Sequence, residues 1–317
     1  MSKDPFHWFE ENSAEFSGQI LLNEPLSKHT YYRIGGPASV LAIPKSLADL
    51  EWIARGLRET GAPLFIMGQG SNILASDSGF QGLVVRINRV NLEISTPEDP
   101  FRLKTGSSVA ISSLLRRACQ EGWAGLEFLT GIPGSVGGAV RMNAGTHLGE
   151  TQGRILRVEA YALSSPSNSQ DGLTIYEGNQ LQFQYRKNLF LPKDSVVWAA
   201  EWSIQKEDPR KVKSIIDETL ARRKASQPID YPSCGSVFKN PKAHGVSAWQ
   251  VVDRLGLRGH QIGNAQFAEL HSNFIINLGN AKASDVRQLI QLAKARAAQE
   301  LGIPLEEEVI YLGDFPS

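Results

Sequence analysis

The chain has 317 residues, long for a single compact domain and enough for two or three. Hydrophobic residues make up 41% and charged ones 21%, with 33 Lys and Arg set against 33 Asp and Glu. A balance of that kind gives no overall attraction for nucleic acid or an anionic membrane, so an anionic ligand has to be met by a local cluster of donors.

A polar leader over residues 1–18 precedes a short strand at Ser39–Ile43. Ser46 reads as the N-cap of a helix carrying Leu47, Leu50, Ile53, Ala54 and Leu57, which Gly61 closes. Buried strands are expected at Pro63–Met67 and Leu83–Ile87, so residues 19–90 form a first α/β unit. A strand around Arg102–Thr105 opens a second unit, 91–207. Its helix turns Leu114, Leu115, Ala118 and Cys119 inward and stops at Gly122. Strands follow at Ile155–Ala162, Gln182–Tyr185 and Val196–Ile204, with a surface loop over Ser164–Asp171. The third region, 208–317, begins with a helix opened by Asp208-Pro209, whose stripe is Val212, Ile215, Ile216, Thr219 and Leu220 and continues to Arg223. Ser284 is read as the cap of a later helix carrying Val286, Leu289, Ile290 and Ala293 and ended by Gly302 and Pro304. The final stretch Leu305–Leu312 alternates as one strand, with Glu308 on the face of Ile310 and Leu312.

Two glycine-rich segments invite chemistry. Gly68-Gln69-Gly70-Ser71-Asn72 directly follows a strand, and successive amides in such a loop can point at a phosphate; a plain tight turn is the alternative. It is no dinucleotide fingerprint, because Ile73 stands where the third glycine belongs. The second is Gly131-Ile132-Pro133-Gly134-Ser135-Val136-Gly137-Gly138, which either grips the same extended cofactor or packs one backbone closely on another. Arg223, on an apolar stripe, needs an anionic partner: a protein carboxylate or a ligand phosphate. Cys119 and Cys234 fit neither a disulfide framework nor a metal spacing, and the six histidines form no ligand pattern, so no metal is expected. No apolar signal core begins the chain and no later run could span a bilayer, which points to the cytoplasm. Residue chemistry alone stops at a nucleotide-binding α/β enzyme.

The ordered set of motifs resembles one family, the UDP-N-acetylenolpyruvylglucosamine reductases. Tyr32-Arg33-Ile34-Gly35-Gly36, the Gly68–Asn72 loop, and Gly131–Gly138 with Asn143-Ala144-Gly145 are similar to its flavin-binding half. Tyr185-Arg186-Lys187-Asn188, Gly235-Ser236-Val237-Phe238-Lys239-Asn240-Pro241 and Glu308-Val309-Ile310 resemble its catalytic set. The resemblance implies an α+β chain, a two-subdomain FAD-binding fold of the vanillyl-alcohol-oxidase type plus a C-terminal α/β substrate-binding domain. It implies NADPH as hydride donor, non-covalent FAD, and reduction of an enolpyruvyl UDP-sugar, with no obligate protein partner. Arg186, Ser236 and Glu308 become the catalytic trio. Arg33, Gly68, Gln69, Gly70, Ser71, Asn72, Gly131, Ile132, Pro133, Gly134, Ser135, Gly137, Gly138, Asn143, Ala144, Gly145 and Arg223 become cofactor residues, Arg223 and Lys239 also being partners for the substrate's diphosphate. Tyr185, Lys239 and Asn240 become substrate residues, with Asn240 alternatively a turn residue before Pro241. The short interval between Arg186 and Arg223 resembles the short form of the family, which lacks a tyrosine-bearing loop. Thr146-His147 departs from the family pattern after Asn-Ala-Gly, and Gln69 replaces a glycine of the first loop. An oxidase of the same fold and a catalytically silent nucleotide binder are the rival readings.

Overall fold

The computed structural model describes residues 5–165, 169 and 171–315; the start of the expected leader and residues 166–168 and 170 of the expected surface loop lie outside them. The chain divides into two compact units that interleave along the sequence. The first holds residues up to Leu22, Val40–Gln69 and Gly82–Ala221; the second holds Asn23–Ser39, Gly70–Gln81 and the chain from Arg222 on. This division differs from the consecutive segments expected, because the chain leaves the first unit and returns to it twice.

In the first unit, a five-stranded antiparallel sheet runs in the order Leu173–Glu177, Ile155–Ala162, Ser195–Ser203, Arg102–Gly106, Ile94–Ser95. Its core is Leu103, Val158, Val197, Ala200 and Trp202, covered by Ile111, Leu114, Leu115 and Ala118 of the helix Ile111–Glu121. Cys119 is only half-buried, at the margin of that stripe. Trp202 donates its indole N–H to the Thr105 hydroxyl at 2.7 Å, so the largest buried side chain is also satisfied. A second cluster gathers around the helix Leu47–Thr60. Ser46 caps it by accepting from the Asp49 N–H at 3.1 Å, and Gly61 ends it in a left-handed conformation. Residues expected to be a polar leader contribute instead the helix Pro5–Glu11, whose Trp8 and Phe9 are buried against Trp52. Gly56 is required there, since a Cβ would come within 2.5 Å of both rings. The aromatic pair hidden among acidic neighbours was what made the segment read as solvated.

The second unit packs Ala248–Arg254 and Ala283–Leu301 with a three-stranded sheet, Gln261–Ile262, Ala265–Phe267 and Ile275–Asn277. The long helix buries Val286, Leu289, Ile290 and Ala293, as its period predicts, and each large apolar side chain so buried contributes about 1.5–3 kcal/mol. Its cap is not Ser284. The helix begins at Ala283 with Lys282 at the N-cap position, and the Asp77 carboxylate accepts from the Ala283 and Ser284 N–H groups at 2.7 and 3.0 Å. The Asp285 carboxylate also accepts from the Lys282 N–H at 3.1 Å, the one local part of this cap.

Two further expectations are corrected. The helix Pro209–Ser226 buries Val212, Ile216 and Thr219, whereas Ile215 and Leu220 are exposed, so its stripe is narrower than read. The stretch Leu305–Leu312 is not one strand. Glu307 pairs with Phe238, the chain bends at Val309, and Ile310–Leu312 then pairs in parallel with Ile73–Ala75. Successive partners on different elements break the alternation: Leu305 and Val309 are buried, Ile310 is exposed and Leu312 is fully buried.

Candidate active site

The first glycine loop leaves the strand Leu64–Met67 and enters Ile73–Ala75. Gly70 takes a φ of +72°, which frees the chain to turn in this short space. A Cβ at Gly68 would stand 3.1 Å from the Ser135 hydroxyl, so the two glycine segments meet at that point. Within the second segment, Ser135 caps the short helix Val136–Met142. The first amides of that helix are already used: Val136 N–H donates to the Val109 carbonyl and Gly137 N–H to the Ser107 carbonyl, both at 2.9 Å. A Cβ at Gly137 would come within 3.0 Å of Ser107, so this glycine serves close packing. Ile132 N–H is spent on the Leu129 carbonyl, and Pro133 is exposed.

What remains is a set of unspent donors. Among the described residues, no acceptor meets the main-chain N–H of Gly68, Gly131, Gly134 or Ser135 in the first unit, nor of Gly70, Ser71 or Asn72 in the second. The hydroxyls of Ser107 and Thr130, both fully buried, also lack a partner among them. An unsatisfied buried polar group costs about 1–3 kcal/mol, so native proteins rarely leave several in one unit unless a ligand completes them. Arg33 lies exposed with φ +55° in the turn that the Thr30 hydroxyl closes by donating to the Ile34 carbonyl at 2.9 Å.

Tyr185 and Arg186 form the two-residue turn of a hairpin between Phe183–Gln184 and Lys187–Asn188. Arg186 has φ +59°, a conformation sparsely used by branched or long side chains and found where function over-determines the backbone. Its guanidinium lies 5.1 Å from the Tyr185 ring centroid. Two asparagines pin the hairpin. Asn143, fully buried at the end of the short helix, donates to the Gln184 carbonyl and to Glu150 at 3.0 Å each, and its oxygen accepts from the Gln152 N–H at 3.0 Å. Asn188 donates to the Arg141 carbonyl at 2.6 Å. Ala144 is likewise spent in the backbone, its N–H on the Ala139 carbonyl. Gly145 admits no side chain, because a Cβ would meet the Gly149 carbonyl at 2.3 Å. The Thr146 hydroxyl donates to the Phe128 carbonyl at 3.1 Å and closes the following hairpin by accepting from the Leu148 N–H at 3.2 Å, and His147 is exposed at its tip.

In the second unit, the segment holding Ser236 is gripped on both sides. Val237 N–H donates to the Asn273 carbonyl, and the Asn273 amide both accepts from Phe238 N–H and donates to the Phe238 carbonyl, each at 2.9 Å. On the other side Glu308 N–H donates to the Val237 carbonyl and Lys239 N–H to the Glu306 carbonyl, both at 2.8 Å. Ser236, half-buried, and Glu308 are thereby brought within a residue of each other along paired main chains. Lys239 makes an ion pair with Glu306. Glu307, the neighbour that could be confused with Glu308, is committed to Lys294 at 2.6 Å. The Asn240 oxygen accepts from Ala248 N–H at 2.9 Å, which is turn and cap work. Arg223 is half-buried and makes no ion pair among the described residues; burial alone pulls its pKa down. Cys234, beside Ser236, is buried against the Tyr32 hydroxyl, and burial pushes its thiol up to about 12, so it is no nucleophile at neutral pH. Sequence reasoning missed Asn273, whose one signal was a polar His-Ser-Asn run placed directly before a buried strand.

No helix among the described residues is long and apolar enough to cross a membrane, and no three His, Cys, Asp or Glu side chains among them are grouped to hold a metal ion.

Residues 38–161 match an FAD binding domain, and residues 227–312 match the C-terminal domain of UDP-N-acetylenolpyruvoylglucosamine reductase. The chain is 38% identical over 302 residues to the UDP-N-acetylenolpyruvoylglucosamine reductase of Heliobacterium modesticaldum, across 95% of this chain and 93% of that protein. To the protein of the same name from Anaeromyxobacter sp. it is 39% identical over 308 residues, 97% and 90% of the two chains. The crystal structure of UDP-N-acetylenolpyruvylglucosamine reductase from Thermus caldophilus is similar with a TM-score of 0.76 at 32% identity, over 93% of this chain and 98% of that one. The fold is α+β, an FAD-binding domain joined to the C-terminal domain of this reductase family.

Proposed function

The chain belongs to the family of UDP-N-acetylenolpyruvoylglucosamine reductases, and from that premise we propose that it uses NADPH to reduce the enolpyruvyl group of UDP-N-acetylglucosamine enolpyruvate, giving UDP-N-acetylmuramate for peptidoglycan synthesis. The observation that supports this best is the joining of Ser236 and Glu308 through Val237, in a chain similar to these reductases along almost its whole length. A cytoplasmic location is part of the same reading.

FAD, when bound, supplies the hydride relay between NADPH and the vinyl group. In the first unit, the unspent amides of Gly68, Gly131, Gly134 and Ser135, with the Ser107 and Thr130 hydroxyls, suit the diphosphate of that cofactor, and in the second unit the unspent amides of Gly70, Ser71 and Asn72 suit an anion. The remaining chemistry belongs to the side chains. As hydride adds to the distal vinyl carbon, negative charge develops toward the substrate's carboxylate, and Arg186 stabilises that charge. Ser236 delivers the proton to the adjacent carbon as a positioned general acid, and Glu308 orients and polarises the same region. Arg223, a half-buried cation with no carboxylate among the described residues, is assigned to a ligand phosphate. Lys239 would reach the substrate's diphosphate by exchanging its exposed partner Glu306 for a phosphate, a low barrier because surface pairs contribute about 0–1 kcal/mol.

The test is anaerobic spectroscopy of the purified protein. A yellow, non-covalent flavin should bleach with NADPH and return to its oxidised spectrum when the enolpyruvyl substrate is added. A reduced flavin that is reoxidised only by oxygen, with release of peroxide, would point to the oxidase alternative and end this reading.

A further inference from the structure

We propose that Asn72 is a positioning residue for Glu308, tying the carboxylate to the state of the first glycine loop; this rests on the catalytic reading of Glu308 given above. The side-chain amide of Asn72 donates to the Glu308 carbonyl at 2.9 Å, across 236 positions of sequence. Its own carbonyl accepts from the Ile310 N–H at 3.0 Å, and from there the parallel pairing of Ile73–Ala75 with Ile310–Leu312 continues.

Glu308 lies just before the bend at Val309 and belongs to no ladder of its own. Its two main-chain polar groups are nevertheless both held: the N–H by Val237 at 2.8 Å, the carbonyl by Asn72. With the buried Val309 next in the chain, the backbone at Glu308 has little freedom, and only side-chain torsions remain to aim the carboxylate. Removing the Asn72 amide frees one of the two holds. A reacting group must stay within roughly 0.5 Å of its productive place, and a displacement of about 1 Å can cost 10²-fold in rate.

The same residue faces the loop. Its main-chain N–H, with those of Gly70 and Ser71, meets no acceptor among the described residues. An anion seated on these donors orders the loop, and through the Asn72 side chain that order reaches Glu308. Asn72 is thus a junction: its backbone belongs to the cofactor loop and its side chain to the carboxylate.

The experiment uses the full chain with FAD and compares wild type, Asn72→Ala, Glu308→Gln and the double variant in both half-reactions by stopped flow. Asn72→Ala should slow reoxidation by the enolpyruvyl substrate on the order of 10- to 100-fold beyond any change in reduction by NADPH. The double variant should be no slower than Glu308→Gln alone, within about twofold, because both changes disable one group. Asn72→Asp keeps the size and lacks the donor, so it should repeat the effect and carries the same test if the alanine variant does not fold. Without turnover, amide hydrogen exchange over residues 308–312 should slow when FAD is added to the apo wild type, and should fail to slow in either Asn72 variant. Independent, multiplying effects in the double variant, or equal FAD-induced protection in the variants, would overturn the proposal. Wild-type rates in Glu308→Gln would instead remove the catalytic reading of Glu308, and the exchange result would still decide the coupling.

Discussion

Substituting Arg223 by methionine separates a structural cation from a ligand-binding one by the sign of its effect on stability. Arg223 lies in the last turn of the helix Pro209–Ser226, half-buried, with burial as the one cause lowering its pKa and no ion pair among the described residues. If a buried carboxylate were its partner, removing the guanidinium would strand that charge and cost about 3–5 kcal/mol. With no such partner, two smaller effects oppose each other. Methionine forfeits the attraction of a cation for the helix C-terminus, about 0.3–1 kcal/mol, and relieves the desolvation of the charge. The apo protein should therefore unfold within about 1 kcal/mol of wild type in urea, followed by tryptophan fluorescence.

Ligand affinity should move much further. Truncating a charge-assisted contact in a desolvated site costs about 2–5 kcal/mol, and about 2 kcal/mol already weakens binding roughly 30-fold. Calorimetry with FAD and with the UDP-sugar product identifies which phosphate is concerned: one affinity should fall at least that far while the other holds. Arg223→Lys keeps the charge without the planar fork and should recover part of the loss. A variant that loses about 3 kcal/mol or more of stability while both affinities stay unchanged would refute the reasoning and reveal a carboxylate partner.

Ser236→Ala should keep flavin binding and reduction by NADPH and lose about 10²-fold or more in the second half-reaction; equal losses in both, by stopped flow, would make the serine structural. Glu308→Gln should slow that same step about 10²-fold, whereas Glu307→Gln should leave rates intact and forfeit only the partly exposed ion pair with Lys294, about 0–1 kcal/mol in denaturant. His271 yields a pH test: burial, reinforced by the charges of Arg258 and Arg223, lowers its pKa below the unfolded value of about 6.5. A depressed folded pKa means stability that is full above that value and lost as pH falls through the folded one, so wild type should lose more stability than His271→Asn between about pH 7 and 5. A stability difference independent of pH would show that the imidazole is not buried as described.

What was legible in the sequence was local. Ser46, Gly61 and Gly122 announce helix ends because cap and helix are contiguous, and they stand where expected. At Ala283–Leu301 the first helical N–H groups are met by Asp77, far along the chain, and only Asp285, which accepts from the Lys282 N–H, is a local sign of the start. The misread alternation at Leu305–Leu312 has the same origin: a strand of fixed period requires one continuous partner, and this stretch changes partner at Val309. The motifs mark candidate residues, but which atom of each motif is free for a ligand is hidden in the letters. Gly137 and the helix amides beside it are spent on Ser107 and Val109, while the amides of Gly131, Gly134 and Ser135 are not.

The asparagines explain why motif letters understate motif mechanics. Asn143, Asn188, Asn240, Asn273 and Asn277 each hold main-chain groups, as Asn72 does, and several do so across long sequence separations. The segments they hold are too short to hold themselves: a two-residue turn at Tyr185-Arg186, isolated bridges at Ser236 and Phe238, a bend at Val309. Ladders of two or three residues supply little cooperativity, and the candidate catalytic groups ride on them, where a turn or bend can present a side chain that a long strand would bury. An amide side chain carries a carbonyl acceptor and an NH2 with two donors, one more donor than a peptide group, so it can complete a ladder where no strand is present. Asn273 does this on both polar groups of Phe238, and Asn277 does it for the Tyr32 carbonyl at 2.8 Å while its oxygen accepts from Gly279 and Ala281. Serine is too short to span such gaps and aspartate offers no donor. An asparagine beside a catalytic candidate in this chain is therefore read first as the clamp that holds it, and as a ligand contact only where its amide remains unspent.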